Sequence, residues 1–153
     1  MHFTSLVLAA TATLASLAHA ASNAIIVNHC NTTIYLWSVG SSVGPQVTIK
    51  PNANYTESFR VDRTSGGIAL KITRVEHGLY TGEPQTIFAY NLQGNQIWYD
   101  PSDVFGDPFH GSRVELVPSD RSCGSITWAH GLPSGGSEVK ACQSGTDLTL
   151  TTC

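Results

Sequence analysis

In Asp147-Leu148-Thr149-Leu150-Thr151 every second residue is leucine and the residues between are polar. That period of two belongs to an extended strand with one buried face, because successive side chains of a strand point to opposite sides. Similar short runs recur upstream: Ala24–Val27, Ile34–Val39, Val47–Ile49, Tyr55–Val61, Ile68–Thr73, Thr86–Tyr90, Gln96–Tyr99, Arg113–Val117 and Ser125–Trp128. Between them stand turn formers: Gly44-Pro45, Ser65-Gly66-Gly67, Gly94-Asn95 and Ser134-Gly135-Gly136. Such residues tolerate the backbone angles that reverse a chain. No amphipathic helix of three turns can be drawn, and there is no repeat or low-complexity tract. The expected architecture is all-β, an antiparallel sandwich or flattened barrel.

The N-terminus reads differently. Leu6 to Ala18 is apolar and uncharged, and Ala18-His19-Ala20 follows it with the small-x-small pattern of a signal-peptidase site. Residues 1–20 are expected to be a signal peptide cleaved after Ala20, leaving residues 21–153 as one exported domain. The run is too short for a permanent anchor, and no second one of spanning length occurs, so the mature protein is expected to be soluble with no membrane partner. The net charge of −3 gives no basic face for nucleic acid and no attraction to anionic lipid.

All four cysteines, Cys30, Cys123, Cys142 and Cys153, lie beyond the cleavage site. An even count in an exported chain implies two disulfides, with three pairings open. Cys30–Cys153 with Cys123–Cys142 is favoured, because a terminal residue frays unless pinned and the first strand is a natural partner for it. No Cys-x-x-Cys occurs, so neither a zinc site nor another cofactor is expected. Asn31-Thr32-Thr33 and Asn54-Tyr55-Thr56 are acceptor sequences for N-glycosylation in a eukaryotic host.

Larger stretches carry a resemblance. Ile25-Ile26-Val27-Asn28-His29-Cys30 followed by Thr33-Ile34-Tyr35-Leu36-Trp37 resembles the opening of thaumatin-like proteins. Pro84 to Tyr90 and Trp98-Tyr99-Asp100 through Val104-Phe105-Gly106 resemble their middle signature, and Asp147 to Cys153 their closing strand. In that family the closing cysteine bonds to the first one, in agreement with the favoured pairing. Ser65 to Ile72 and Ile97 through Gly106-Asp107-Pro108-Phe109 fit a reduced fungal branch, the Blastomyces yeast-phase-specific family of secreted thaumatin-like antigens. The resemblance covers nearly all of the mature chain. It implies a disulfide-stabilised thaumatin-like sandwich without the disulfide-rich loop domain of larger members.

Larger members also carry an acidic cleft linked to β-1,3-glucan. Carried over residue by residue, one acid survives as Asp100, the second falls at Phe105, the cleft glutamate at Ala89, and the arginine strand at Gly66 to Lys71, where no arginine stands. Glycoside hydrolysis normally needs two carboxylates at a set separation, one protonated and one ionised. Asp103 and Asp107 are candidates to rebuild a cluster with Asp100, flanked by Trp98 and Tyr99. Turn capping, contact with a ligand and calcium binding are three readings of these aspartates, and turn capping leads. His110 is read as a solvated loop histidine. Trp37, Trp98, Trp128, Tyr35, Tyr55, Tyr80, Tyr90 and Tyr99 are either core pieces or sugar-stacking rings. Tyr35 and Trp37 share one face of their strand, opposite Leu36, and the sequence does not say which face is inside. No Gly-x-Ser-x-Gly elbow and no phosphate-cradling loop is present.

The expected function is that of a secreted, non-enzymatic protein of the fungal cell wall. It would bind wall polysaccharide such as β-glucan, with the role in wall remodelling during spore germination and growth that the resemblance implies. The alternatives are an endo-β-1,3-glucanase with an acid pair drawn from Asp100, Asp103 and Glu83, and a secreted antigen or effector that binds a host surface protein.

Overall fold

The computed structural model describes residues 22–153, so the expected signal peptide lies outside the described residues. Two sheets pack face to face. Strands are numbered in chain order: β1 Asn23–Asn28, β2 Ile34–Val39, β3 Val47–Ile49, β4 Asn54–Ser58, β5 Ile68–Thr73, β6 Gln85–Gln93, β7 Gln96–Val104, β8 Val114–Pro118, β9 Ile126–Trp128, β10 Lys140–Gln143 and β11 Leu148–Thr152, with one short helix α1 Gly78–Thr81. The five-stranded sheet runs β4-β1-β11-β8-β9 and the six-stranded sheet β10-β7-β6-β5-β2-β3.

The alternation read from the sequence sets which side chains fill the space between them. Ile26, Leu148, Leu150 and Leu116 from the first sheet meet Ile34, Leu36, Leu70, Ile72 and Phe88 from the second, all fully buried. Asn28 of the Asn-x-Cys motif is itself buried, and its amide donates to the Thr32 and Ile49 carbonyls while its carbonyl oxygen accepts the Cys30 amide. A buried amide so satisfied costs little and fixes the turn from β1 into β2. At the open side of the sandwich, Tyr55 on the edge strand β4 and Tyr90 on β6 both donate to the Glu57 carboxylate, joining the two sheets. Burial and that carboxylate push the Tyr55 phenol up to about 12.

The structure differs from the sequence reading in several places. One pairing is parallel: β1 lies beside β11, with Ala24 opposite Leu148 and Asn28 opposite Thr152. A parallel pair needs a long crossover, and here nearly the whole domain supplies it. Strands β6 and β7 are also longer than expected, a hairpin of two nine-residue strands turning at Gly94-Asn95. Pro101 sits within β7 because β10 pairs only with Gln96 to Tyr99, leaving Pro101 an unpaired side on which its missing N–H is not needed. Finally, β10 has no strand-like pattern of its own. It is held at the edge of β7 and by the bridge from Cys142.

The disulfides are Cys30–Cys153 and Cys123–Cys142. The first ties the end of β11 to the turn after β1, and the second ties β10 to the loop before β9.

Candidate functional site

The ladders of the six-stranded sheet order its outer face into cross-strand rows. One row runs Trp37–Lys71–Ile87–Ser102 and the next Val39–Ala69–Ala89–Asp100. Beyond them Asn91 faces Trp98, which faces Ala141. Small side chains in the middle row leave a groove of about 520 Å³, with a predominantly apolar wall. Ala69 and Ala89 line its floor, Gly66-Gly67 and Gly40 one side, and Trp98, Asp100 and Val139 the other.

Two loops on the first side are held by one carboxylate. Asp62 accepts the Ser41 amide and hydroxyl on one oxygen and the Thr64 and Ser65 amides on the other. These hydrogen bonds hold it well below the usual carboxylate range. On the opposite side Glu138 accepts the Trp128 indole N–H and the Ser134 hydroxyl, fixing the segment that presents Val139 to the groove. Neither residue stands out in the sequence, since each is a lone acid in a polar loop. Gly67 is required by space: a Cβ there would lie 2.9 Å from the Tyr90 carbonyl oxygen.

The residues grouped from sequence are divided by the strand. Trp98 and Asp100 belong to the groove face, and Trp98 is 40% exposed. Tyr99 and Asp103 point to the opposite side of β7. The Tyr99 ring is buried and its hydroxyl donates to the Gly124 carbonyl at 2.6 Å. Asp103 accepts the Thr86 hydroxyl at 2.5 Å from the neighbouring strand, and Asp107 is exposed in the following loop. The period of two therefore divides the candidate cluster: Asp100 and Asp103 are three residues apart and face opposite ways. Glu83 stands in the turn after α1, where its amide donates to the Gly78 carbonyl. His110 is exposed in the loop after β7, its amide bonded to the Asp107 carbonyl.

Leu36 enters the core, so Tyr35 and Trp37 belong to the outer face. Trp37 is nonetheless buried, because α1 lays Tyr80 edge-on against it at 6.3 Å between ring centres. Trp128 is buried as well, which leaves Trp98 the one indole open to solvent. Among the described residues, Asp120 lies beside Cys123 and Cys142, whose sulfurs are bonded to each other and offer no thiolate to a metal.

Burial raises the Asp100 carboxyl above its ordinary value, opposed by the Glu138 backbone amide and helped by the Glu138 carboxylate. Burial also pushes Asp103 up to about 6, with the Thr86 hydroxyl opposing and Asp107 adding to the rise. Its Oδ2 is buried with no hydrogen-bond partner in the protein. A carboxyl whose folded value exceeds its unfolded one binds the proton more tightly in the folded state. Its stabilising contribution is full below about pH 4 and is lost as pH rises through about 6. Asp103→Asn should therefore raise stability at pH 7 by on the order of 1 kcal/mol, discounted because the group is only half-buried, and should flatten the pH profile between 4 and 6. Thermal unfolding across that range checks it, and an unchanged profile would remove the assignment.

A family model described as Blastomyces yeast-phase-specific protein matches residues 11–153. The chain belongs to that family. It is a secreted, extracellular, fungal thaumatin-like protein. Among the relatives of this chain, the "antigenic thaumatin-like protein" of Arthroderma benhamiae is 30% identical over all of this chain and 84% of its own length. The "secreted thaumatin-like protein calA" of Emericella nidulans is 28% identical over 82% of this chain and 78% of its own. Among solved structures, the protein elicitor MoHrip2 from Magnaporthe oryzae superposes with a TM-score of 0.72 at 24% identity, over 87% of this chain and 99% of that one. The thaumatin-like xylanase inhibitor TLXI does so at 0.60 and 14% identity, over 85% and 98%. The two structural likenesses show the thaumatin-like fold of this chain. In the described residues no helix is long and apolar enough to cross a membrane.

Proposed function

We propose that this protein associates with the fungal cell wall by binding neutral polysaccharide in the outer-face groove, without cleaving it, and takes part in wall remodelling during spore germination and growth. The observation that carries the reading is the composition of the groove. An exposed indole stands beside a floor of two alanines, with one carboxylate, Asp100, and one ammonium group, Lys71, in the lining. Sugar rings offer apolar C–H faces to an aromatic plane and hydroxyls at their edges, which such a wall accepts. Hydrolysis asks for a second carboxylate at a set distance. Asp103 faces away from Asp100, and both Glu138 oxygens are occupied by Trp128 and Ser134.

The proposal includes export with cleavage after Ala20 and N-glycosylation at Asn31 and Asn54, both exposed. Asn31 follows β1, and Asn54 opens β4 beside the 50–53 turn that hydrogen-bonds to Asn28. Both thus stand by the Cys30–Cys153 bridge, near the start of β2, whereas the groove lies at the end of that strand.

The test is retention of the secreted protein on insoluble β-1,3-glucan, chitin and intact spores, with its intact mass measured before and after N-glycosidase. Retention on glucan should survive deglycosylation and fall at least about tenfold in Trp98→Ala, the range for losing one well-stacked aromatic. No retention on any of the three would end the proposal. Release of reducing ends from laminarin, lost in Asp100→Asn, would replace it with the glucanase.

A further inference from the structure

The edges of the two sheets are β4 and β9 in one and β10 and β3 in the other. A sheet edge offers unpaired backbone groups to other chains, and natural folds blunt it with short strands, lysine or proline. Three of these edges are blunted. β3 and β9 are three residues long, Lys50-Pro51 directly follows β3, and the four-residue β10 opens with Lys140. β4 is not. It is five residues long, Asn54-Tyr55-Thr56-Glu57-Ser58, and its one charged side chain, Glu57, is taken up by the Tyr55 and Tyr90 hydroxyls.

The register shows which backbone groups of β4 are open. The Asn28 amide donates to the Ala53 carbonyl and the Phe59 amide to that of Ser22, so the odd-numbered residues of this segment bond to β1. Backbone groups alternate along a strand, so the amides and carbonyls of Asn54, Thr56 and Ser58 point away from β1. All three residues are exposed, and these groups have no partner among the described residues. Such an edge is complementary to itself. Two copies of β4 set antiparallel about Thr56 oppose Asn54 to Ser58 and Thr56 to Thr56, each pair exchanging two hydrogen bonds. Every open group is then used, and no like charges meet, because Glu57 comes opposite Tyr55.

Asn54 is also the acceptor in Asn54-Tyr55-Thr56. In the pair just described its side chain would stand beside Ser58 of the second copy, with about 5.5 Å between their Cα atoms, where a bulky glycan has no room. We infer that a glycan on Asn54 guards this edge, and that the occupant it excludes is a second copy of this chain, paired antiparallel through β4. The inference rests on the glycosylation of Asn54 proposed above and gives that modification a task.

Size-exclusion chromatography with light scattering, on protein secreted from a eukaryotic host, tests it, with intact mass reporting glycan occupancy. The wild-type protein, carrying the glycan, should stay monomeric. Asn54→Gln should double in mass at high concentration and return to monomer on dilution, since a five-residue edge makes a small interface. Thr56→Lys destroys the same acceptor sequence yet should stay monomeric, because two lysines would face each other at the centre of the pair. Asn31→Gln, which removes the other acceptor, should stay monomeric as well. All three positions are exposed, so the variants should melt with the wild type. An Asn54→Gln protein that remains monomeric, or a Thr56→Lys protein that dimerises equally, would overturn the pairing through β4. A wild-type protein bare at Asn54 and dimeric would overturn the glycosylation reading and the guard while leaving the pairing in place, and one bare and monomeric would overturn all three.

Discussion

Replacing both Cys30 and Cys153 by serine should lower the free energy of unfolding by about 4 to 5 kcal/mol, seen as a large drop in the urea midpoint. The bridge joins residues 123 apart, so in the chain-entropy account its loss frees a loop spanning almost the whole described chain. The partners it holds are also the costliest to bring together. β1 and β11 are a parallel pair from opposite ends of the sequence, and β1 lies between β4 and β11 within its sheet. No turn connects them locally. The bridge from Cys123 to Cys142 spans only 19 residues and should contribute about 3 kcal/mol by the same relation. A double serine variant at 30 and 153 that unfolds at the wild-type midpoint would show that pairing of β1 with β11 needs no covalent help.

Gly131→Ala is expected to cost about 3 kcal/mol or more, a large effect for one methyl group. A Cβ at this position would lie 2.0 Å from the Phe109 carbonyl oxygen and 2.8 Å from that of Ser112, and its φ is +66°. The obstruction is backbone on both sides, so no side chain can swing aside. The contact is tight because two loops are locked together there. Gly111 donates to the His130 carbonyl and Gly131 to that of Trp128, while Phe109 reaches the core from one loop and Trp128 from the strand before the other. Alanine must break that junction or shift Phe109. Thermal melts of Gly131→Ala and Gly135→Ala separate space from backbone angle: Gly135 also has a positive φ, of 86°, but open space around it, and should lose only about 1 kcal/mol. Equal losses would discard the packing account.

Much of the sandwich was legible because a strand with one wet face writes its own alternation. Ile34–Val39, Val47–Ile49 and Ile68–Thr73 carry the same bounds in sequence and structure. The exceptions have physical causes. Pro101 hides the second half of β7, since proline usually ends a strand, and only the short reach of β10 makes room for it. Lys140-Ala141-Cys142-Gln143 has neither alternation nor β-branched residues, so its extended form comes from the neighbouring strand and the bridge. Trp37 carries an outward parity and yet is buried, because a four-residue helix no pattern announced folds over it.

The groove was legible in part. Trp98 and Asp100 were picked out and share a face, but proximity in the chain drew Tyr99 and Asp103 in with them, and pleating sends those to the other side. Asp62 and Glu138 are not legible, because a side chain that accepts hydrogen bonds from distant loops leaves no mark in its own neighbourhood.

Local information, repeated residue by residue, determined that this chain is an exported-type sequence of short strands with four bridgeable cysteines. Alternation and turn chemistry act over a few residues, and a few residues suffice to write them. Only the tertiary structure decided that the first strand lies parallel to the last, which acids share a surface, and that two alanines from adjacent strands open a groove beside an exposed indole. Those outcomes depend on register between segments far apart in the chain, and register is set by the packing of the whole sandwich.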